Sequence, residues 1–364
     1  MPKVLIYEGV NGHGECLPSY YYYFKELGYE VDFAIKNKIV DEKALWMLDN
    51  PTIYSIVEAV HKSQHVIELE KKVPNLFKYD LYFISTLNKD CYKTVQFLYR
   101  NGISRNKILF QDHLNYKYFL EQSGKDILLG KNGFTLGMAD QHILSQLSPI
   151  KSINNFRHKN LTKNFEKDLN IFIGGLSHIH FKNFEKFIKA VEELNNEGYN
   201  IKINVTGIRE LGDYILPESS CINYLGRIDF KSMANQYIIN DFLFVLFDTK
   251  ALMCLKDHQT FLDGRVSGSK NMSIIYKIPL VVQKPFQLAW GLDDNNSISY
   301  NGNDYKEVLL DLFKIKMDRY NNIIENLKIK EKQEFELGLN NLKNKIDNLN
   351  KSIIKKVTKK NKYF

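Results

Sequence analysis

The residues best suited to chemistry gather first in a glycine-rich loop near the N-terminus. There His13 stands between Gly12 and Gly14, with Glu15 beside it. A neutral imidazole can accept a proton near physiological pH, and small flanking residues leave it within reach of a hydroxyl-bearing substrate. A second acid–imidazole pair, Asp112-His113, ends the apolar run Ile108–Gln111. A third group lies at Ser267-Gly268-Ser269, flanked by Arg265 and Lys270 and placed directly before a predicted helix. Free backbone N–H groups and the helix dipole make such a start suited to phosphate. Gly268 lets the backbone approach an anion, and the two cations add charged donors. The competing reading gives Ser269 only a capping role.

No metal site is expected. His178 and His180 have ligand-like spacing and could contact a phosphate, but no third ligand stands near them. The four cysteines lie far apart without Cys-x-x-Cys spacing, so neither zinc nor a disulfide framework is indicated, and a reducing cytoplasm is the expected location.

The elements that must position these residues alternate regularly. Lys3–Tyr7 reads as a buried strand, the Gly-rich loop follows, Leu17–Leu27 reads as a helix and Glu30–Ile35 as a second strand. Pro18 at the helix start and Gly28 past its end mark the boundaries. Further strands are predicted at Leu81–Ser85 and Ile108–Gln111, with a helix over Cys91–Asn101 between them. The rhythm dissolves in a Ser/Asn/Lys-rich stretch from Ser145 to Asp168 and then restarts. Leu169–Ile173, Asn200–Val205, Cys221–Tyr224, Asp241–Phe247 and Pro279–Gln283 read as strands, and Phe184–Asn196, Lys231–Ile239, Met272–Lys277 and Tyr305–Lys316 as helices. Strand–helix alternation argues for parallel sheets covered on both faces. The expected fold is α/β, with two Rossmann-like doubly wound domains facing a cleft: residues 1–155, residues 156–315, and a helical basic tail over 316–364.

Charge is concentrated in that tail. The chain of 364 residues carries 50 Lys+Arg against 42 Asp+Glu, or +8. Residues 316–364 hold 13 Lys+Arg against 6 Asp+Glu, leaving 37 against 36 for the body. Phe335, Leu339, Leu342, Ile346, Leu349 and Ile353 form a heptad-like stripe, interrupted by Gly338, before a lysine-only end. One reading lays this helix against the body; another places it on an anionic membrane surface. A nucleic-acid partner is not expected, because the body is near neutral and shows no RRM, KH or helix-turn-helix pattern. No segment approaches the ~18 apolar residues of a membrane span.

Four stretches together resemble the GT-B-fold glycosyltransferases, particularly the family-4-like group. These are the strand and loop Ile173-Gly174-Gly175-Leu176-Ser177 with Lys182 before a helix, Tyr224-Leu-Gly-Arg227-Ile228, the Ser267-Gly268-Ser269 helix start, and Lys277-Ile-Pro-Leu-Val-Val282 in place of a Gly-x-Pro-Val-Val stretch. The resemblance covers roughly residues 169–315; the first domain matches more loosely, through its Gly-rich loop and Glu26-Leu-Gly-Tyr-Glu-Val31. It implies a metal-independent transferase moving a sugar from a nucleotide-diphosphate sugar to a glycan, lipid-linked or protein acceptor. No cofactor beyond the donor substrate is implied. The donor phosphates would lie near Gly174, Gly175, Lys182, Arg227, Arg265, Ser267, Gly268, Ser269 and Lys270, and the acceptor near His13, with Asp112 and His113 as the alternative catalytic pair. The Glu-x7-Glu pair of the retaining members is missing: Gly264 and Met272 stand at its positions. The stereochemical outcome is therefore open. So are an epimerase or polyol-phosphate transferase of the same fold, and a non-catalytic subunit. A dinucleotide-dependent dehydrogenase is disfavoured, because Glu8 to Gly14 lacks GxGxxG spacing.

Overall fold

Two sheets organise the chain, each built around central strands that are short apolar runs buried on both faces. The computed structural model describes residues 1–57, 64–86, 89–112, 133–135, 165, 167–176, 181–207, 210–211, 214–215, 218–246 and 268–360. Compact packing divides the chain into two units: Met1–Pro149 with Gln333–Phe364, and Ile150–Lys332.

In the first unit, β1 (Lys3–Glu8) leads into α1 (Leu17–Glu26), then β2 (Glu30–Lys36), α2 (Asn37–Asp41), β3 (Thr52–Ile56), α3 (Gln64–Lys72), β4 (Leu81–Ile84), α4 (Lys89–Arg100), β5 (Ile108–Asp112) and β6 (Gly133–Thr135). The six strands run in the order β3-β2-β1-β4-β5-β6, and every pairing is parallel. Parallel strands covered by helices need apolar residues on both faces, which is why β1 and β4 read as unbroken runs. Leu5, Tyr7, Ile84, Val95, Leu98 and Phe110 pack into one buried cluster here. Strand order reverses between β1 and β4, so the carboxyl ends of these two strands form the sheet's topological switch point.

The second unit repeats the plan. It contains β7 (Asp168–Leu176), α5 (Phe181–Asn196), β8 (Asn200–Gly207), a two-residue hairpin of β9 (Glu210–Leu211) and β10 (Tyr214–Ile215), and β11 (Ile222–Gly226). Then follow α6 (Phe230–Ile239), β12 (Phe242–Phe244), α7 (Gly268–Tyr276), β13 (Leu280–Gln283), α8 (Lys284–Ala289), β14 (Ile298–Tyr300), α9 (Tyr305–Phe313) and α10 (Met317–Lys360). Its six-stranded sheet has the order β11-β8-β7-β12-β13-β14, again all parallel. Ranked by sequence, both sheets therefore show the order 3-2-1-4-5-6. This is the expected α/β, Rossmann-like, GT-B-like class of fold.

One sequence expectation changes. Helix α7 begins at Gly268, four residues earlier than expected, so Gly268 and Ser269 lie inside its first turn rather than before it. Its far end is unusual as well. Lys277 follows α7 with φ 53°, a left-handed conformation, at the position where the resembling family carries glycine. That conformation costs a non-glycine residue roughly 1–2 kcal/mol. The Lys277 ammonium donates to the Ile275 carbonyl at 2.8 Å and pairs with the Glu331 carboxylate on α10, and both side chains are almost fully buried.

The stripe on α10 follows one of the two readings its sequence offered. Phe335, Leu342 and Ile346 are buried, and Leu339 and Leu349 are half-buried; the Ile353 side chain lies outside the described residues. Phe335 stacks on Tyr23 of α1, with centroids 4.6 Å apart and an interplanar angle of 4°. Gly338 explains itself here: a Cβ at this position would lie 2.8 Å from Tyr23 Cζ. The described part of the stripe is thus buried, as the reading that lays this helix against the body expects. Among the described residues, no helix is long and apolar enough to cross a membrane.

Candidate functional site

The carboxyl edge of the first sheet holds a buried acid that the loop chemistry rests on. Glu8, the last residue of β1, is fully buried. One carboxyl oxygen accepts from the Val10 backbone N–H at 2.9 Å. The other accepts from Ser85 Oγ and Thr86 Oγ1, each at 2.6 Å, from the two residues that follow β4. Burial pushes the Glu8 carboxyl up to about 7, against the opposing pull of the two hydroxyls, the Val10 amide and His13. The acid and the loop are thus tied to the neighbouring strand at the switch point.

His13 is held two turns of chain further on. It takes φ 60°, ψ 19°, the left-handed region, although glycines flank it on both sides. The strained position of the loop therefore falls on the imidazole-bearing residue, a placement common at functional sites. Its carbonyl accepts from Cys16 N at 3.0 Å, closing the single turn Gly14–Cys16 that runs directly into α1. The imidazole is 39% exposed, and its Nδ1 lies 3.7 Å from Glu15 Oε1. Below it, Cys16 and Tyr20 are fully buried. The Tyr20 hydroxyl is held well above its ordinary range, chiefly by burial and then by Cys16 and Glu8. A half-exposed imidazole can take a proton from a substrate hydroxyl, and the Glu8 carboxyl, whose rise His13 opposes, attracts the resulting charge.

Asp112 ends β5 at this same edge. Its neighbours in register place it beyond Phe110, which pairs with Ile84 of β4. The Asp112 side chain and all of His113 lie outside the described residues.

The corresponding edge of the second sheet offers backbone rather than titratable groups. β7 ends in Gly174-Gly175, where pairing with β8 shifts register between Ile173 and Leu176. Gly175 has φ +73°, which a side chain would strain, and its N–H donates to the buried Thr206 Oγ1 at 3.1 Å. Right-handed crossovers bring helix N-termini to this edge. Lys182 is the second residue of α5, with its side chain outside the described residues. Gly226 closes β11 in a left-handed conformation, and exposed Arg227 follows it before α6, whose cap Asp229 accepts from Ser232 N at 2.7 Å. At α7, Gly268 is exposed and Ser269 half-buried, but Lys270 is only 4% exposed. An ammonium buried in a first helical turn adds to the positive end of the helix dipole. Arg265 and Ser267, with His178 and His180, lie outside the described residues.

The topology therefore brings Gly174, Gly175, Lys182, Arg227, Gly268, Ser269 and Lys270 to one sheet edge. It brings Gly12, His13, Gly14, Glu15 and Asp112 to another. Sequence reasoning missed Glu8, Ser85 and Thr86. The available signal was an apolar strand ending in an acid, and a second one, Leu81–Ile84, ending in two hydroxyls.

No protein-family model and no curated protein matches the chain. Solved structures do, by shape. An α-glucosyltransferase in complex with UDP and a 13-mer DNA containing an HMU base is 11% identical, with 89% of this chain and 94% of that chain covered and a TM-score of 0.58. A glycosyltransferase from Rickettsia africae is 11% identical, with 96% and 98% covered and a TM-score of 0.58. A UDP-GlcNAc 2-epimerase from Neisseria meningitidis, bound to UDP-GlcNAc, is 10% identical, with 97% and 100% covered and a TM-score of 0.56. At such identities the likeness is one of fold: this chain has the GT-B-like architecture on which those glycosyltransferases and that epimerase are built.

Proposed function

We propose that this chain is a glycosyltransferase that moves a sugar from a nucleotide-diphosphate sugar to a glycan, lipid-linked or protein hydroxyl. The observation that carries the reading is the contrast between two sheet edges of identical strand order. One presents an imidazole and a buried acid; the other presents a glycine turn and several helix N-termini with cations. On the first, His13 takes the proton of the acceptor hydroxyl as its oxygen bonds to the anomeric carbon; Asp112 with His113 is the alternative base. On the second, the leaving diphosphate departs from that carbon with the bonding pair. Backbone N–H groups at Gly174, Gly268 and Ser269, presented beside the Gly175 turn, and the cations Lys182, Arg227, Arg265 and Lys270, with Ser267, stabilise its charge. That arrangement supplies the positive charge from protein groups, so turnover should persist in EDTA.

The likeness to a UDP-GlcNAc 2-epimerase in complex with its nucleotide sugar favours a second reading, epimerisation of the donor without an acceptor. One experiment separates the two. Uridine, guanosine, cytidine and thymidine diphosphate sugars are incubated with the protein, with and without acceptors, and nucleotide release and sugar stereochemistry are followed. DNA belongs among the acceptors, because one structural neighbour is in complex with a 13-mer DNA. Release that depends on acceptor supports transfer, and acceptor-free isomerisation supports the epimerase. If no nucleotide or nucleotide sugar raises the melting temperature, both readings fail.

A further inference from the structure

We propose that Glu8 is a positioning residue for His13: its carboxylate anchors the Gly9–Gly14 loop to the end of β4 and serves as the counter-charge that sets the basicity of the His13 imidazole. This rests on the reading of His13 as the acceptor-side base and adds to it a residue that never touches substrate.

The geometry carries the argument. Glu8 is 0% exposed and its oxygens are occupied by Val10 N–H, Ser85 Oγ and Thr86 Oγ1, so it cannot reach a substrate itself. A buried acid is costly, and an apolar residue at the end of β1 would satisfy the sheet as well. What the acid adds is a hydrogen-bonded clamp between residues 77 and 78 positions apart in sequence, closing on the loop that holds His13 in its left-handed conformation. The titratable groups around it are His13 from the loop and Tyr20 from α1, with Cys16 and Glu15 next to Tyr20. Of these, His13 is the one that gains positive charge when the acceptor proton arrives, and the carboxylate attracts that charge. Burial holds the Glu8 carboxyl up to about 7 and the His13 charge pulls against that rise, so a change in the charge of one is felt by the other.

The test is a histidine-selective NMR titration of the full chain, which holds 9 histidines, with His13→Gln used to assign the signal. Glu8→Gln, which keeps the side-chain shape, should lower the His13 midpoint by about one pH unit. Thr86→Val removes one donor, favours the neutral acid, and should move the midpoint the same way by less. It also keeps the test open if Glu8→Gln fails to fold. Where transfer is measurable, the acid limb of kcat/KM should shift down with the NMR midpoint while KM changes little. An unchanged His13 midpoint in both variants overturns the proposal, whatever the activity. Loss of transfer in His13→Ala belongs to the functional reading instead, so the two can fail separately.

Discussion

The two sheets share one strand order yet end differently at their switch points. β1 of the first unit closes on Glu8, an acid buried under two hydroxyls and followed by a strained histidine. β7 of the second closes on Gly174-Gly175, where the partner of the turn is a neutral threonine hydroxyl. The scaffold thus leaves the chemistry to the first few residues after the central strand. A titratable pair suits proton transfer, whereas glycine and backbone N–H groups suit a fixed anion. The same division appears along α10. Up to Lys332 it belongs to the second unit, where Glu331 pairs with buried Lys277; from Gln333 on it belongs to the first, where Phe335 stacks on Tyr23.

The largest expected effect breaks the comparison between edges. His13→Ala should lower transfer by about 10²–10⁴-fold while leaving the nucleotide-induced melting shift unchanged. Equal loss of both would assign nucleotide binding to the first edge and undo the division.

Next comes the ion pair. Lys277→Ala leaves Glu331 buried and unpaired, at a cost of about 3–5 kcal/mol in denaturant unfolding. Burial lowers the Lys277 pKa and raises that of Glu331, so desolvation is the dominant force on both. Replacing the pair together, Lys277→Met with Glu331→Leu, should recover most of the loss. If Lys277→Ala costs nothing, the fastening of α10 to the second unit is apolar after all.

A third prediction concerns pH. The folded Glu8 carboxyl stands near 7, above its ordinary 4.5, so the folded state holds the extra proton between those values. Its stabilising contribution is complete below pH 4.5 and disappears as pH rises through about 7. The 2.5-unit difference corresponds to about 3 kcal/mol. Glu8→Gln should therefore raise the melting temperature at pH 8 and leave it unchanged at pH 4. A functional carboxylate held at the expense of stability is a common trade-off. A flat difference between the two pH values would contradict it.

The smallest effect sharpens the part of α10 that belongs to the first unit. Gly338→Ala gains about 1 kcal/mol of helix propensity, but its methyl meets the Tyr23 ring. A net loss of melting temperature is expected, reversed when Tyr23 is also shortened to Leu.

These comparisons show what the sequence could and could not reveal. The runs Lys3–Glu8, Leu81–Ile84 and Leu280–Gln283 are legible because parallel strands bury both faces. β3 is not: Thr52–Ile56 sits at the sheet edge with only Ile56 fully buried, so its pattern carries little signal. β12 is shorter than its apolar run, because Val245 and Leu246 are buried beyond the last sheet pairing. His13 stands out by composition. Glu8 does not, since its role depends on Ser85 and Thr86, which only the fold brings near. The stripe on α10 was legible as amphipathic, but its partner was not, because nothing in Phe335 or Gly338 points to Tyr23.

The central claim is that the second edge holds a nucleoside diphosphate and the first does not. Calorimetric titration of uridine, guanosine, cytidine and thymidine diphosphates into wild type, His13→Ala and Gly175→Val tests it most directly. The account predicts that one base binds wild type and His13→Ala equally and Gly175→Val at least about tenfold more weakly. Binding lost in His13→Ala and kept in Gly175→Val, or no binding of any diphosphate, would contradict it.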